Sequence, residues 1–190
     1  APAMDAQLSQ RRDLEQELRQ ALALDQLRLG YLPRRSIATG DLSGVEVQLH
    51  WAHPLRGLLP PAAFLPLAEE TGLSVALGLW LLDDACRAAA AWPVPLRLVI
   101  SLSARQCADA EALVEAVASA LQTSGLAAGR LELQVPEALL QVEDVSLTQL
   151  QALKALGVRL SLADFGSGSG GLEALRQSVL DGISLDSRLV

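Results

Sequence analysis

Five short apolar runs in this 190-residue chain carry or end in polar residues of the kind that do chemistry. "GVEVQLHW" carries Glu46, Gln48 and His50, and "LVISLS" ends in Ser101 and Ser103. "LELQVPE" holds Gln134 and Glu137, "RLSLADF" holds Asp164, and "GISLD" ends in Asp186. Carboxylates such as Glu46, Asp164 and Asp186, gathered at one edge of a sheet, are the donors that hold a divalent cation and lower the pKa of a bound water. Glu46 and Asp164 also have a plainer reading as polar residues at strand ends. His50 and His53 form an H-x-x-H beside Glu46, but at strand spacing the two rings need not share a face, so a role other than zinc ligation is expected. "GSGSGG", residues 166–171, lacks the Lys-Ser/Thr of a phosphate-binding P-loop and reads as a flexible connection. Ser101, Ser103 and Ser161 have no base in triad order.

The elements that must position these residues follow from periodicity. Leucines at 14, 18, 22 and 24 lay an apolar stripe on a helix over 13–24. "ATGDLSG" supplies turn residues between two alternating runs, which predicts a hairpin. In its second strand Val45, Val47, Leu49 and Trp51 alternate with Glu46, Gln48 and His50, giving one apolar and one polar face. Pro61 suits the first turn of a helix that Thr71-Gly72 ends, and a second helix covers 74–91. Strands "LRLVISLS", "RLELQV", "VRLSLADF" and "GISLD" then alternate with helices over about 109–123, 145–156 and 172–176. Strand and helix in alternation predict a parallel α/β sheet of six strands. A closed barrel of eight such units usually takes about 250 residues, so the last two units are expected to be absent. Chemistry in a parallel barrel collects at the C-terminal strand ends, where Glu46, Ser101, Gln134, Asp164 and Asp186 fall.

Composition narrows the function classes. Fifteen Lys and Arg against 22 Asp and Glu give a net charge of −7 with no basic run, which argues against DNA as a partner. Cys86 and Cys107 match no metal or CxxC spacing, so free thiols in a reducing, cytoplasmic compartment are expected. The longest apolar stretch, "LSVALGLWLL", is too short to span a bilayer. Cys86, Trp51, Trp80 and Trp92 read as core.

The runs "GVEVQLHWAHPLRGLLPPAAFLPLAEETGL", "VISLSARQ", "LELQVPEALL", "LSLADFGSGSGGLEALR" and "ISLDSRLV" resemble, in order and spacing, the EAL domains of bacterial cyclic di-GMP phosphodiesterases. The resemblance runs from Leu14 onward. It implies a TIM-like (β/α) barrel with one antiparallel strand, and hydrolysis of one phosphodiester bond of the cyclic dinucleotide with Mg²⁺ or Mn²⁺. It also implies a role for each position. Glu46 is the metal-binding glutamate of the signature. Ser101 stands where the family has an asparagine, and Gln134 where it has a second metal-binding glutamate. Of its paired aspartates the first is Ala163 and the second, Asp164, is kept. Ser184 replaces a lysine, and Asp186 is kept. Nucleotide-contacting positions fall on Leu32, Gln48 and His50, with Asp164 and Asp186, and Glu137 matches a glutamate that orders a neighbouring loop.

An amide at 134 and a methyl at 163 remove two charges from any metal pair. The expectation is therefore a degenerate, non-catalytic member without metal or cofactor: a 1–12 linker followed by a 13–190 EAL-like domain of a larger signalling protein. Its expected partners are cyclic di-GMP, a pathway protein, and a second copy of itself. A weak phosphodiesterase and a scaffold without nucleotide affinity are the alternatives. With the family arginine replaced by His50, Arg34, Arg35, Arg56 and Arg105 are candidate substitute cations.

Overall fold

The computed structural model describes residues 2–137, 139, 145–165 and 179–185, with side chains over 9–137, 139, 148–163 and 179–184. Helix α1 (Pro2–Ala21) leads into the hairpin β1 (Leu27–Arg35) and β2 (Leu42–His53), then β3 (Gly57–Leu59), α2 (Pro61–Thr71) and α3 (Leu73–Ala90). There follow β4 (Arg97–Ser101), α4 (Ala104–Ala108), α5 (Ala110–Ser124), β5 (Leu131–Pro136), α6 (Val145–Ala155), β6 (Arg159–Phe165) and β7 (Gly182–Leu185). The sheet runs β1-β2-β4-β5-β6-β7, with β3 paired to β2. Within that path β1 is antiparallel to β2, and every later pairing is parallel. Among the described residues the path has two ends, β1 and β7, with no strand joining them.

Alternation in each strand separates two faces. Val47, Leu49, Trp51, Leu98, Ile100, Leu133 and Leu160 are buried in one core with Leu18 of α1, Phe64 of α2, Leu77 and Leu82 of α3, Val117 of α5 and Leu153 of α6. Each such side chain contributes on the order of 1.5–3 kcal/mol through burial. Trp51 meets Phe64 edge-on at 5.8 Å, and its indole N–H donates to Gln26. The opposite, inner face carries Glu46, Val99, Ser101, Glu132, Gln134, Ser161 and Ser184.

Local signals account for most boundaries. Pro61 opens α2, and Gly72, at φ 80°, closes it and starts α3. Asp109 caps α5 through the Ala112 N–H, and Gly125, at φ 70°, ends it. Arg130 reaches back to the Ala89 and Leu96 carbonyls, satisfying the C-terminal end of α3. The structure adds two elements to the predicted set. Strand β3 extends the hairpin by three residues, which makes seven strands among the described residues instead of six. Helix α4 is held by a reciprocal capping box of Ser103 and Gln106. The predicted helix over 172–176 and the "GSGSGG" loop lie outside the described residues. Among those described, no helix is long and apolar enough to cross a membrane.

Candidate functional site

The hairpin register places Leu32 opposite Glu46 and Arg34 opposite Gly44. Because Gly44 has no side chain, the Arg34 guanidinium passes over it to its diagonal neighbour Glu46. Arg34 Nη2 and Nε donate to Glu46 Oε2 at 2.8 and 3.3 Å. The network continues inward. Arg34 Nη1 stands 3.8 Å from Glu132, Arg97 Nη1 donates to Glu132 Oε2 at 3.2 Å, and Ser161 Oγ donates to Glu132 Oε1 at 2.8 Å. Two carboxylates on the inner face are thus each paired to a guanidinium.

One pairing further along, Ser101 Oγ donates to Gln134 Oε1 at 3.0 Å, as the β4–β5 register of Ser101 against Gln134 allows. Gln134 is 3% exposed, and its Nε2 has no hydrogen-bond partner among the described residues. Ala163, half-buried on β6, lies opposite Pro136. Ser184 is half-buried on β7. Asp164 belongs to β6, but its side chain lies outside the described set, as does Asp186 altogether. Glu137 is buried just past β5.

Two cavities divide these residues. Past Glu46 the β2–β4 pairing ends, and the strands splay around an outer cleft of about 530 Å³ under α2 and α3. Its polar lining includes Glu46, Gln48, Ser74, Ser101 and Gln106, beside apolar Leu65 and Leu77. The Ser74 hydroxyl there is buried without a partner among the described residues. An inner cavity of about 500 Å³ takes Gln134 and Ser184 together with Arg34, Arg35, Arg97 and Arg159.

The two histidines face opposite ways. His53 is buried beneath α1. Its Nδ1 accepts from the Leu55 and Arg56 N–H groups at 3.1 and 3.2 Å, so Nε2 carries the proton and donates to Glu17 at 2.9 Å. His53 therefore ties a turn to a helix, and both its nitrogens are used. His50 lies on the other face with its ring over Gly30, where any Cβ would collide with it; its Nδ1 is buried without a partner among the described residues. Of the candidate substitute cations, Arg34 is engaged by Glu46, Arg35 donates to Gly40 O and Arg105 to Glu70 O.

Both thiols sit in the core with raised pKa values. Burial and then the charge of Asp83 push Cys86 to about 12, while burial and then Glu69 push Cys107 to about 11. Trp51 is fully buried, and Trp80 and Trp92 pack against the core.

Glu132, Arg97 and Arg159 were not singled out by sequence reasoning. The available signal was the R-L-E-L-Q alternation of β5, which puts Glu132 on the same face as Gln134.

Residues 15–190 match the family described as EAL domain. An uncharacterized signaling protein of Caulobacter vibrioides is 43% identical over 188 residues, which is 98% of this chain and 23% of that protein. A solved structure of the PaMucR phosphodiesterase in complex with c-di-GMP is 40% identical, with a TM-score of 0.86 over 92% of this chain and 72% of that one. The FimX EAL domain from Pseudomonas aeruginosa bound to c-di-GMP is 27% identical, with a TM-score of 0.80 over 93% and 72%. The chain spans about a quarter of the length of the curated relatives it matches.

Proposed function

This chain belongs to the EAL domain family, and from that premise we propose that it is a non-hydrolysing regulatory domain of a larger bacterial cyclic di-GMP signalling protein, a receptor that takes the dinucleotide in its outer cleft. The observation that carries this reading is the Arg34–Glu46 pair. In the family that glutamate holds metal; here a guanidinium already lies on its carboxylate at 2.8 Å. The remaining described donors do not fit two divalent cations. Position 134 is an amide whose oxygen accepts from Ser101, and position 163 is a methyl. Among the described residues no group of three or more His, Cys, Asp or Glu could hold a metal ion. No hydrolytic step is therefore assigned to these residues.

The outer cleft supports retained ligand binding. It keeps unspent polar capacity at Ser74 beside Gln48 and Ser101, within apolar walls suited to a purine. Two of the similar solved structures hold c-di-GMP. In this reading the open path from β1 to β7 corresponds to the first six strands of the family barrel, β3 being an added hairpin extension, and the domain's output passes to a protein partner or a second copy.

The test is a calorimetric titration of cyclic di-GMP into the purified chain with and without Mg²⁺, alongside a hydrolysis assay in Mg²⁺ and Mn²⁺. Metal-independent micromolar binding without turnover is the expected result. Turnover dependent on metal and on Glu46 would make it a phosphodiesterase. No heat and no change in melting temperature would leave only a protein-binding scaffold.

A further inference from the structure

The turn between β2 and β3 carries two leucines that the core does not use. Leu55 is 87% and Leu58 63% exposed, and the Arg56 side chain between them has no hydrogen bond or ion pair among the described residues. The turn is nonetheless fixed. The buried His53 accepts the Leu55 and Arg56 N–H groups on Nδ1 and is itself held by Glu17 of α1. Two leucines and an arginine thus stand on a preorganised knob, whose docking costs little ordering entropy.

A groove of matching character lies elsewhere on the same chain. Between α5 and α6 a cavity of about 580 Å³ is lined by Ala110, Val114 and Ala152, together with Glu111 and Glu115, one turn apart on α5. Both glutamates are exposed, and neither is paired to a cation among the described residues. Helix α5 contains no Lys or Arg, and the one cation of α6, Lys154, is taken by Asp181. Neighbouring helices of the outer layer run α1-α2-α3-α5-α6. The knob is tied to α1 at one end of that row and the groove lies at the other, so the two do not meet within one chain.

We infer that the β2–β3 knob of one copy docks in the α5–α6 groove of a second copy, with Leu55 and Leu58 on its apolar walls and Arg56 against Glu115 and Glu111. Charge selects this pairing. A symmetric contact of groove on groove sets Glu111 and Glu115 against themselves, and one of knob on knob sets Arg56 against Arg56. Only the head-to-tail contact satisfies both surfaces, and because knob and groove are different patches it extends from copy to copy. It gives the second copy of the reading above a surface, and it stands apart from the nucleotide, since none of these residues lines the outer cleft.

A contact this small is weak, so the purified chain is followed by sedimentation velocity from about 10 µM to about 1 mM. The weight-average mass is expected to rise with concentration and to pass the dimer without a plateau. Arg56→Glu and Glu115→Arg each weaken association about fivefold, as an attraction becomes a repulsion. Glu115→Arg also brings the net charge of −7 closer to zero, so general repulsion alone predicts the opposite change. Mixing the two single variants restores association, because each knob then meets a groove of the other sign. Where a charge variant lowers the folded fraction by circular dichroism, Leu55→Ser, on the exposed knob, takes its place and also weakens association. The inference is overturned by a monomer mass that stays constant across the range, by a plateau at the dimer, or by association that the folded variants leave unchanged. Cyclic di-GMP titration of the same variants reads the cleft independently, and its affinity stays within twofold.

Discussion

The Arg34–Glu46 pair makes the sharpest prediction. Its side chains are 32% and 26% exposed, and the guanidinium spends two N–H groups on one carboxylate oxygen. Fully exposed pairs contribute roughly 0.2–1 kcal/mol, and hydrogen bonds to charged groups about 1.5–3 kcal/mol. Partial exposure puts the coupling between those ranges, at about 1–1.5 kcal/mol. Arg34→Ala costs somewhat more than the coupling, about 2 kcal/mol, because Glu132 also loses a cation at 3.8 Å while keeping Arg97 and Ser161. For a domain of this size, that lowers the melting temperature by roughly 4–8 °C. The assay is urea unfolding of Arg34→Ala, Glu46→Ala and the double variant, closed as a thermodynamic cycle. A coupling below about 0.3 kcal/mol would mean that the pair is a surface contact and that Glu46 remains free for other ligands, and the argument against metal binding would fall with it. If the argument holds, freeing Glu46 by Arg34→Ala does not by itself create Mn²⁺ binding, because positions 134 and 163 still carry no charge.

Three further outcomes follow from local geometry. A Cβ on Gly44 would stand 2.8 Å from the Arg97 carbonyl oxygen and 3.1 Å from its Cβ, a contact with β4 backbone that only a shift of one strand relieves. Gly44→Ala should therefore cost about 1–3 kcal/mol in urea unfolding, whereas Gly129→Ala, which meets nothing within 4 Å, should be near neutral; equal costs would refute the close approach. Cys86 and Cys107, with pKa values pushed to about 12 and 11 by burial, should stay unreactive toward a disulfide reagent at pH 7.5 until guanidinium unfolds the chain, and a fast native thiol would contradict their placement. Burial raises the Asp181 pKa, but the Lys154 hydrogen bond, the Leu160 N–H and the charges of Lys154 and Arg159 outweigh it and leave the value below that of an ordinary carboxylate. The stability it contributes is present above the unfolded pKa of about 3.9 and is lost as pH falls through the lower folded value, so Asp181→Asn should flatten the acid limb of the stability profile. An unchanged limb would remove Asp181 from that account.

Most of the frame was legible because its signals are local. The period-two pattern of 45–51 fixes both faces of β2, and Pro61, Thr71-Gly72 and Asp109 mark helix ends wherever they occur. Short elements escaped for the same reason. Three residues of β3 carry no period, and α4 depends on a Ser103–Gln106 box that sits in what otherwise reads as a loop. The site was legible as a set of positions and illegible as a set of contacts. Arg34 reaches Glu46 only because the hairpin register puts Gly44 beneath it, and Glu132 meets Arg97 and Ser161 across two other strand pairings. Register is a nonlocal property, so no spacing within one strand displays it. Attention to C-terminal strand ends also passed over Arg97 and Arg159, which begin theirs.

The division between the two faces accounts for a sequence that keeps a family's frame while its polar positions differ. Val47, Leu49 and Trp51 face the helices, and a change there opens a cavity in the core; Glu46, Gln48 and His50, one residue away, face the other side and leave that packing untouched. The constraint on the inner face is instead electrostatic. A metal-using inner face needs carboxylates left uncompensated until the cation arrives, and such a face repels itself when empty. Here Glu46 has Arg34 and Glu132 has Arg97, so these two carboxylates are compensated by the chain's own guanidiniums. A divalent cation approaching Glu46 would have to displace a guanidinium held by two hydrogen bonds, and at 134 and 163 would then find an amide and a methyl.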